Sequence, residues 1–339
     1  MEKSFLKTIR RSLLRHRANL FTWLENGKSN RYLQLGEEKG VPRTHDLQIV
    51  SEIDTAIAKL DQGTYGKCEM CSGEVEEERL ILDFTTCICL DHYSEAQKRE
   101  LERDLELAAQ VQQHLLPGSL PALEGVQMAV LARPFGAIGG DYYDFFRYKD
   151  QCQGFAIADV MGKGVPAGML MANLQAALRI MGPDFDELAK LGIRLNELFR
   201  YNLKQIRFIT LFLAGFDPES RTLHYVNAGH HPPLLWNAEQ ASEQWLKPTG
   251  PAIGLNPNAK YRSESISLNS GDWLILYTDG LVEARNENQQ EFGFEGLRRY
   301  ASIQTAVSPE LFLNGLMNEV ESFGAHINDD LTLMVLKMG

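Results

Sequence analysis

Four aspartates stand where short apolar runs meet turn-forming sequence, and carboxylates placed in this way can carry out chemistry. They are Asp141 in IGGDYYDFF, Asp159 in FAIADVMGKG, Asp279 in LILYTDGLVEARN and Asp329 in NDDLTLMVL. A single aspartate at the end of a strand is usually a turn former or a helix cap. Four such aspartates from distant segments instead suggest a cage of hard oxygen ligands, which suits Mg²⁺ or Mn²⁺ better than zinc.

A second cluster of candidate ligands contains sulfur. Cys68-x2-Cys71 is followed, after seventeen residues, by Cys89-x2-His92, and this spacing is typical of a structural zinc site. Zinc would tie down a segment that is too small to fold around a core of its own. Cys87 is a rival fourth ligand if His92 points away, and the alternative without metal is a degenerate knuckle of reduced thiols.

Short apolar runs bounded by Gly, Asp and Pro predict the strands that must position the aspartates. The predicted strands are residues 126–131, 155–158, 208–214, 273–277 and 331–336, and the predicted helices are residues 166–181, 185–205, 295–301 and 309–322. Because strands and helices come in blocks rather than in strict alternation, the pattern favours a layered α+β architecture over a doubly wound parallel sheet.

The N-terminal third of the chain has a different pattern. Apolar residues recur at helical spacing between residues 47 and 60, which predicts a helix that leads into the cysteine cluster. A second helix is predicted over residues 94–116, where a proline stops it. This helix is polar over most of its surface, and two interpretations are equally favoured: an exposed connector, or a short coiled coil that dimerises and transmits a signal.

Residues 1–46 begin with a basic amphipathic stretch. Phe5, Leu6, Ile9 and Leu13 form its apolar face, opposite lysines and arginines. Internal packing is the default interpretation of this face, and the alternatives are contact with a partner or with a membrane surface.

Composition and charge exclude several classes of protein. The 339 residues, 44% of them apolar, suffice for two or three domains. No run approaches the roughly 18 apolar residues of a spanning helix, and the N-terminus lacks the apolar core of a secretory signal, so we expect a cytoplasmic protein with no membrane partner. The net charge of −11, from 34 Lys and Arg against 45 Asp and Glu, disfavours nucleic-acid binding.

The segments that carry the aspartates resemble the metal-dependent serine/threonine phosphatases of type 2C, specifically the bacterial SpoIIE/RsbU-like branch. The resemblance covers residues 105–339 and runs through AAQVQQHLLP, GGDYYDF, ADVMGKGVPAG, FITLF, YVNAGHHPP, GPAIGL, LYTDGLVEARN and NDDLTLMVL. It implies an αββα sandwich, in which two β-sheets pack face to face between layers of helices, with metals at one end. The predicted fold class is therefore α+β.

The same resemblance implies roles for the aspartates. Asp159 is expected to bridge two Mn²⁺ or Mg²⁺ ions, with the carbonyl of Val160 nearby. Asp279 and Asp329 are expected to complete the first metal site, and Asp141 to serve the second directly or through water. Two such ions would lower the pKa of a bridging water, orient the phosphate and neutralise its charge, so no covalent phosphoenzyme is needed.

Other polar residues near these motifs are given less specific roles. Nothing pairs with His230 or His231 at ligand spacing, so packing or turn roles are favoured for both. Asp144 and Asp330 lie close in sequence to Asp141 and Asp329, and the sequence does not distinguish their roles. GKGVPAG lacks the spacing of a P-loop, and Cys152 lies in a polar turn without a phosphate-cradling loop. No arginine is assigned to the phosphate, which metals alone are expected to hold.

The cysteine segment resembles the DksA/TraR zinc-finger family over residues 47–95, in its GTYGxC motif and in the seventeen-residue separation of its two knuckles. His92 stands in place of the last cysteine, which is expected to leave zinc binding intact. Members of that family act at RNA polymerase through acidic residues at a coiled-coil tip, and no such tip is identified here. A sensor or scaffold role is therefore at least as well favoured.

These inferences divide the chain into a helical N-terminal region (1–46), a zinc finger (47–95), a helical linker (96–117) and a phosphatase domain (118–339). The predicted function is hydrolysis of phosphoserine or phosphothreonine on a regulatory protein, with two Mn²⁺ or Mg²⁺ ions and one structural Zn²⁺. By the resemblance, the substrate is a phosphorylated STAS-type anti-anti-sigma factor, and the protein is a homodimer joined through the linker and controlled by its N-terminal module.

Two other functions are considered. One is a DksA/TraR-type transcription regulator that binds RNA polymerase and carries an accessory phosphatase domain. The other is a catalytically silent adaptor, which the intact set of four aspartates argues against.

Overall fold

The computed structural model describes residues 5–7, 9–11, 13–14, 17, 41–82, 84–148, 152–202, 208–303 and 307–339, with the backbone alone at 41–49, 78, 81–82 and 201–202. The described residues divide into two compact units, one ending at Glu102 and the other beginning at Arg103. Within the described part of the chain, no helix has the length and apolarity needed to span a membrane.

The first unit is small and helical. It contains α1 (Val41–Asp61), α2 (Glu77–Leu82) and a 3₁₀ turn (Leu90–His92), and α3 (Glu95–Leu115) begins in it. Its core gathers Ile53 of α1 and Leu80 of α2. Leu13 is buried against this core, and Phe5, Leu6 and Ile9 pack there too, so the N-terminal apolar face packs internally as the default interpretation expects.

The second unit is built on two antiparallel β-sheets. Its strands are β1 (Val126–Arg133), β2 (Asp141–Tyr148), β3 (Cys152–Val160), β4 (Ile209–Asp217), β5 (Thr222–Ala228), β6 (Leu234–Asn237), β7 (Ser242–Trp245), β8 (Glu264–Ser267), β9 (Trp273–Tyr277) and β10 (Leu331–Met338). One sheet has the order β1-β10-β9-β6-β7, and the other has the order β2-β3-β4-β5-β8.

Helices cover the outer face of each sheet. These helices are α4 (Val165–Met181), α5 (Leu188–Asn202), α6 (Asp279–Val282), α7 (Gly293–Ile303) and α8 (Pro309–Ser322). Buried residues of α4 and α5 share a core with β2, β3 and β4, whereas those of α7 and α8 share a core with β9 and β10. A third core lies between the two sheets.

The alternation of side chains along each inner strand explains these layers. In β3, Ala156, Ala158 and Val160 belong to the core under the helices, whereas Phe155 and Ile157 belong to the core between the sheets. A strand covered on both faces must be apolar throughout, which is why it reads as a continuous apolar run. The layers are those of an αββα sandwich, and the predicted α+β class is confirmed.

Most of the predicted elements are observed, some with longer bounds. The helix predicted over 309–322 is found at those residues, and the helix predicted over 185–205 is found at Leu188–Asn202, with its last predicted residues outside the described part. Strands β2, β5, β6, β7 and β8 are not among the predicted elements. Two of them, β7 and β8, are polar and mostly exposed edge strands, so they lack the apolar run on which the prediction depends.

Candidate functional site

Strand pairing brings the first two aspartates together at one end of the sandwich. Asp141 begins β2 and Asp159 stands one residue before the end of β3, and the antiparallel register places them directly opposite each other. The hydroxyl of Thr278, which follows β9 in the other sheet, donates a 2.7 Å hydrogen bond to Asp141 Oδ2. Both sheets therefore meet at this pair of carboxylates.

The other two aspartates enter from the second sheet. Asp279 is the first residue of α6, immediately after β9, and Asp329 lies two residues before β10. Asp159, Asp279 and Asp329 line one cavity of about 450 Å³. Asp141 lies outside the lining of this cavity, beside Asp159 on the neighbouring strand.

The carboxylates of this cavity repel one another. Burial, followed by the charges of Asp279 and Asp329, raises the pKa of Asp159 to about 7. Burial, followed by the charges of Asp329 and Glu283, raises the pKa of Asp279 to about 6. Burial, with the Asp159 charge next, raises the pKa of Asp141 well above its ordinary value. The ionised cluster is therefore unfavourable without a positive counter-charge.

The donor set fits hard divalent cations. Three carboxylates converge on one cavity, and a cation among them would stabilise the ionised forms of Asp159 and Asp279, whose pKa values burial and repulsion raise. Mg²⁺ and Mn²⁺ take carboxylate oxygens and keep several waters, and the cavity is large enough for both ions and water.

Asp330 and its neighbour Asp329 have different surroundings in the structure. Asp330 is only 6% exposed and accepts hydrogen bonds from the backbone N–H groups of Phe135 at 2.7 Å and Gly140 at 2.6 Å. Both carboxylate oxygens of Asp330 are thus occupied in holding the loop before β2. Asp329 is half-buried and lines the cavity.

Asp144 also has a structural environment. It is buried, accepts a 2.6 Å hydrogen bond from the Tyr142 hydroxyl, and forms an ion pair with Arg179 of α4 at 2.8 Å. These contacts tie β2 to the helix that covers it.

The last turns of α3 hold the loop that leads into Asp141. Gln112 donates from Nε2 to the carbonyl of Gly139 at 2.6 Å and accepts at Oε1 from the Gly139 N–H at 3.0 Å. At Gly140, an added Cβ would lie 2.8 Å from the carbonyl oxygen of Val160, so only glycine fits without a shift of the backbone. Contacts with α3 and close packing against the end of β3 therefore fix the position of this loop.

His230 is a packing residue, as the sequence analysis favours. Its Nδ1 lies 2.8 Å from Thr210 Oγ1 on β4, and its Nε2 lies 3.1 Å from the carbonyl oxygen of Tyr277 on β9. Burial lowers the pKa of His230 to about 3, so the ring is neutral and joins the two sheets by hydrogen bonds.

The fold brings His231 close to two carboxylates, although nothing pairs with it at ligand spacing in the sequence. A ring nitrogen of His231 and carboxylate oxygens of Asp279 and Glu283 all lie within 4.8 Å of one another. The signal for Glu283 is its place four residues after Asp279, about one turn along a helix. The signal for His231 is absent from the sequence, because only the fold brings its loop to α6.

Lys163 is a further cavity residue that the sequence analysis does not assign. Its Nζ lies 3.1 Å from Asp329 Oδ2 and donates to the carbonyl of Asn328 at 2.8 Å. The available signal is its position in the glycine-rich turn directly after β3.

The cysteine cluster of the first unit is also assembled. Ligand atoms of the four predicted residues, Cys68, Cys71, Cys89 and His92, all lie within 4.8 Å of one another. The Sγ atoms of Cys71 and Cys89 are 3.8 Å apart, and the backbone N–H of Gly73 points at Cys71 Sγ from 3.3 Å. This arrangement of three sulfurs and one imidazole suits tetrahedral zinc, and Cys87 lies outside the group.

The αββα sandwich with an acidic cavity at its end defines a metal-dependent serine/threonine phosphatase of the PP2C type. Residues 149–339 match the family model of Stage II sporulation protein E (SpoIIE). Because this match covers more than half of the residues, the chain belongs to the SpoIIE family.

Individual relatives agree with this assignment. The chain is 29% identical over 253 residues to phosphoserine phosphatase RsbU of Bacillus subtilis, and the match covers 71% of each protein. It is 26% identical to the structure of the RsbU and RsbW domains of Rv1364c from Mycobacterium tuberculosis, at a TM-score of 0.56, covering 66% of this chain and 63% of that one. The SiaA-PP2C domain of Pseudomonas aeruginosa shares the fold, with a TM-score of 0.61, 22% identity, and coverage of 73% and 100%.

The family match lies in the second unit. The resemblance of the cysteine segment to the DksA/TraR family is not confirmed, and the comparisons give no support to the alternative of RNA polymerase binding.

Proposed function

We propose that this protein removes phosphate from phosphoserine or phosphothreonine on a STAS-type anti-anti-sigma factor in a partner-switching pathway. The observation that carries the proposal is the convergence of Asp159, Asp279 and Asp329 on one cavity. Similarity to a phosphoserine phosphatase, RsbU, supports the choice of substrate residue. Similarity to a chain that contains both RsbU and RsbW domains supports a regulatory protein as the substrate.

The proposed cofactors are two Mn²⁺ or Mg²⁺ ions. Asp159 would contact both, with the Val160 carbonyl nearby. Asp279 and Asp329 would complete one site, and Asp141 would serve the other directly or through water. When bound, such ions activate a water molecule and neutralise the charge of the phosphate.

The protein itself contributes the positioning of these carboxylates. Asp330 holds the loop before Asp141 through two backbone N–H groups. His230 joins β4 of one sheet to the end of β9 in the other, so the strand that pairs with the Asp159 strand is linked at the cavity to the strand that leads into Asp279. Groups held in this way need little rearrangement during the reaction, which is a large part of enzymatic rate enhancement.

Hydrolysis of p-nitrophenyl phosphate with Mn²⁺ tests the activity. Asp159→Asn keeps the shape of the side chain but removes its charge, and we expect a loss of at least about 100-fold in kcat/KM. Asp184→Asn, at an exposed aspartate outside the cavity, is the matched control and should retain full activity. Equal rates in wild type and Asp159→Asn would refute the proposal, and a phosphoproteome comparison with and without the enzyme would identify the substrate.

The proposal includes the first unit. One structural Zn²⁺ would be held by Cys68, Cys71, Cys89 and His92. The convergence of their ligand atoms supports this assignment. We also propose that the chain divides into regions 1–46, 47–95, 96–117 and 118–339.

A homodimer through α3 completes the proposal. No residue of this helix is buried, and Leu101, Leu107 and Val111 expose large apolar side chains on it. Burial of such residues in a coiled coil would remove apolar surface from water. Sedimentation of the full chain tests this point, and we expect Leu107→Glu to shift a dimer to a monomer.

A further inference from the structure

We infer that Lys163 binds the phosphate group of the substrate at the rim of the acidic cavity. The inference rests on the proposed phosphatase function and adds a protein ligand to a phosphate that the sequence analysis leaves to metals alone. Among the described residues that line the cavity, Lys163 is the one lysine or arginine.

The backbone places this lysine at the cavity. Lys163 lies in the turn between β3 and α4, four residues after Asp159, and stands between two glycines with positive φ angles. Gly162 has a φ of 109° and Gly164 a φ of 70°, values that favour glycine because a Cβ would clash with the backbone. The turn is therefore specific in conformation, and it carries the lysine back towards the carboxylates.

Three contacts hold the ammonium group in place. Lys163 Nζ donates to the carbonyl of Asn328 at 2.8 Å, lies 3.1 Å from Asp329 Oδ2, and sits 4.8 Å from the centre of the Phe135 ring. An ammonium group has three N–H donors, so these contacts leave one donor for a ligand. The side chain is still 54% exposed, which leaves that donor accessible.

The charges around the cavity indicate which ligand Lys163 would bind. The other ionisable groups that line the cavity are Asp159, Asp279, Asp329 and two histidines, so an incoming phosphate, with its ~2 negative charges, meets carboxylates there. A lysine at the rim offers a charge-assisted hydrogen bond to a phosphate oxygen.

A purely structural role accounts less well for the arrangement. An exposed lysine–carboxylate pair contributes little to the stability of a fold, because both groups are well solvated. Lys190 provides a comparison, since it also forms an exposed pair, with Glu187 at 2.8 Å, but lies outside the cavity. The two lysines differ in their access to the cavity, and this is the property that the experiment isolates.

The experiment compares Lys163→Met, Lys163→Arg and the matched control Lys190→Met in the full chain. Inorganic phosphate is the probe, measured as an inhibitor of p-nitrophenyl phosphate hydrolysis and directly by calorimetry with Mn²⁺ present. We expect Lys163→Met to weaken phosphate binding and raise KM by roughly tenfold, with a smaller change in kcat. Lys163→Arg should retain most of the binding, and Lys190→Met should match wild type.

Two results would overturn the inference. One is unchanged phosphate binding in Lys163→Met. The other is a parallel loss of Mn²⁺ affinity, measured by calorimetry without phosphate, because Lys163 would then serve the loop of Asp329 rather than the phosphate. Absence of hydrolysis in wild type would refute the proposed function instead, while the calorimetric comparison of phosphate binding would still decide the role of Lys163.

Discussion

The cysteine cluster draws its four candidate ligands from residues 68–92, whereas the carboxylates at the acidic end of the sandwich come from residues 141–329. The first set lies on two knuckles in a unit with a small core, and the second lies at the edge of two sheets whose packing fills three cores. Both arrangements suit metal ions, but the fold supports them very differently.

The difference predicts how far the stability of each site would depend on a bound metal. A small unit with few buried residues gains much of its stability from the ion that joins its knuckles. A large sandwich is stable enough to hold repelling carboxylates together before any cation arrives, and burial together with this repulsion raises the pKa values of Asp159 and Asp279. We therefore expect metal removal to unfold the first unit but only to inactivate the second.

Zinc removal should have the largest effect. Chelation, or Cys68→Ser, should unfold the segment around the cluster, because structural zinc typically contributes on the order of 10 kcal/mol to such modules. Hydrogen exchange on the full chain should show lost protection over residues 50–92 and unchanged protection in the second unit. Cys152→Ser, at a thiol outside the cluster, is the control. One zinc per chain retained in Cys68→Ser would mean that the ligands are wrongly assigned.

The acidic cavity should instead show a pH-dependent stability without metal. The pKa of Asp159 in the folded protein is about 7, above its ordinary value of 3.8, so the folded state binds this proton more tightly than the unfolded state. The free energy of unfolding should therefore fall by up to about 4 kcal/mol as the pH rises from about 4 to 7. Urea unfolding of metal-free protein across this range is the measurement. Asp159→Asn should flatten the dependence, and an unchanged slope in that variant would contradict this account.

Substitution of two adjacent aspartates should have different effects, one on stability and the other on activity. Asp330→Asn should lower the free energy of unfolding by about 2 kcal/mol, because the buried Asp330 accepts two charge-assisted hydrogen bonds from backbone N–H groups. Asp329→Asn should change stability by less than about 0.5 kcal/mol but reduce Mn²⁺-dependent hydrolysis strongly. Urea unfolding and p-nitrophenyl phosphate assays on both variants separate the roles, and equal stability losses would show that they are not separate.

The smallest effect is expected at Glu76, a carboxylate beside the cysteine cluster. Glu76 Oε1 accepts one hydrogen bond, at 2.9 Å, from the N–H of Leu90 beside the second knuckle, and its side chain is 31% exposed. Glu76→Ala should weaken zinc binding by roughly fivefold, equivalent to about 1 kcal/mol, as measured by chelator competition. Glu100→Ala, on the exposed surface of α3, should leave the affinity unchanged.

Much of the fold follows from local pattern. Inner strands such as β9 and β10 are buried on both faces and read as apolar runs, and α8 follows from apolar periodicity after Ser308 and Pro309. β2 escapes prediction because Asp144 and three tyrosines interrupt its apolar residues, and the cation that pairs with the buried Asp144 is Arg179, thirty-five residues away. No local pattern contains such a pair.

The site residues likewise divide into those that sequence spacing predicts and those that only the fold brings together. The candidate zinc ligands are evident from spacing because they lie on two short knuckles. The joint presence of His231 and Glu283 beside Asp279 depends on a loop after β5 that meets the start of α6, and no spacing predicts that contact. Likewise, only the loop of Asn328 beside the turn of Lys163 makes that lysine a cavity residue.

The amino-acid sequence by itself determined the layered α+β class and identified the candidate ligands in the cysteine cluster and the four candidate aspartates, because burial, turn chemistry and knuckle spacing are local properties. Only the tertiary structure decided that Asp329 faces the cavity while Asp330 is turned to the backbone, and that His231, Glu283 and Lys163 join the same end. Adjacent residues in extended chain point in opposite directions, and which direction leads to the cavity depends on how distant strands pair and how the two sheets pack.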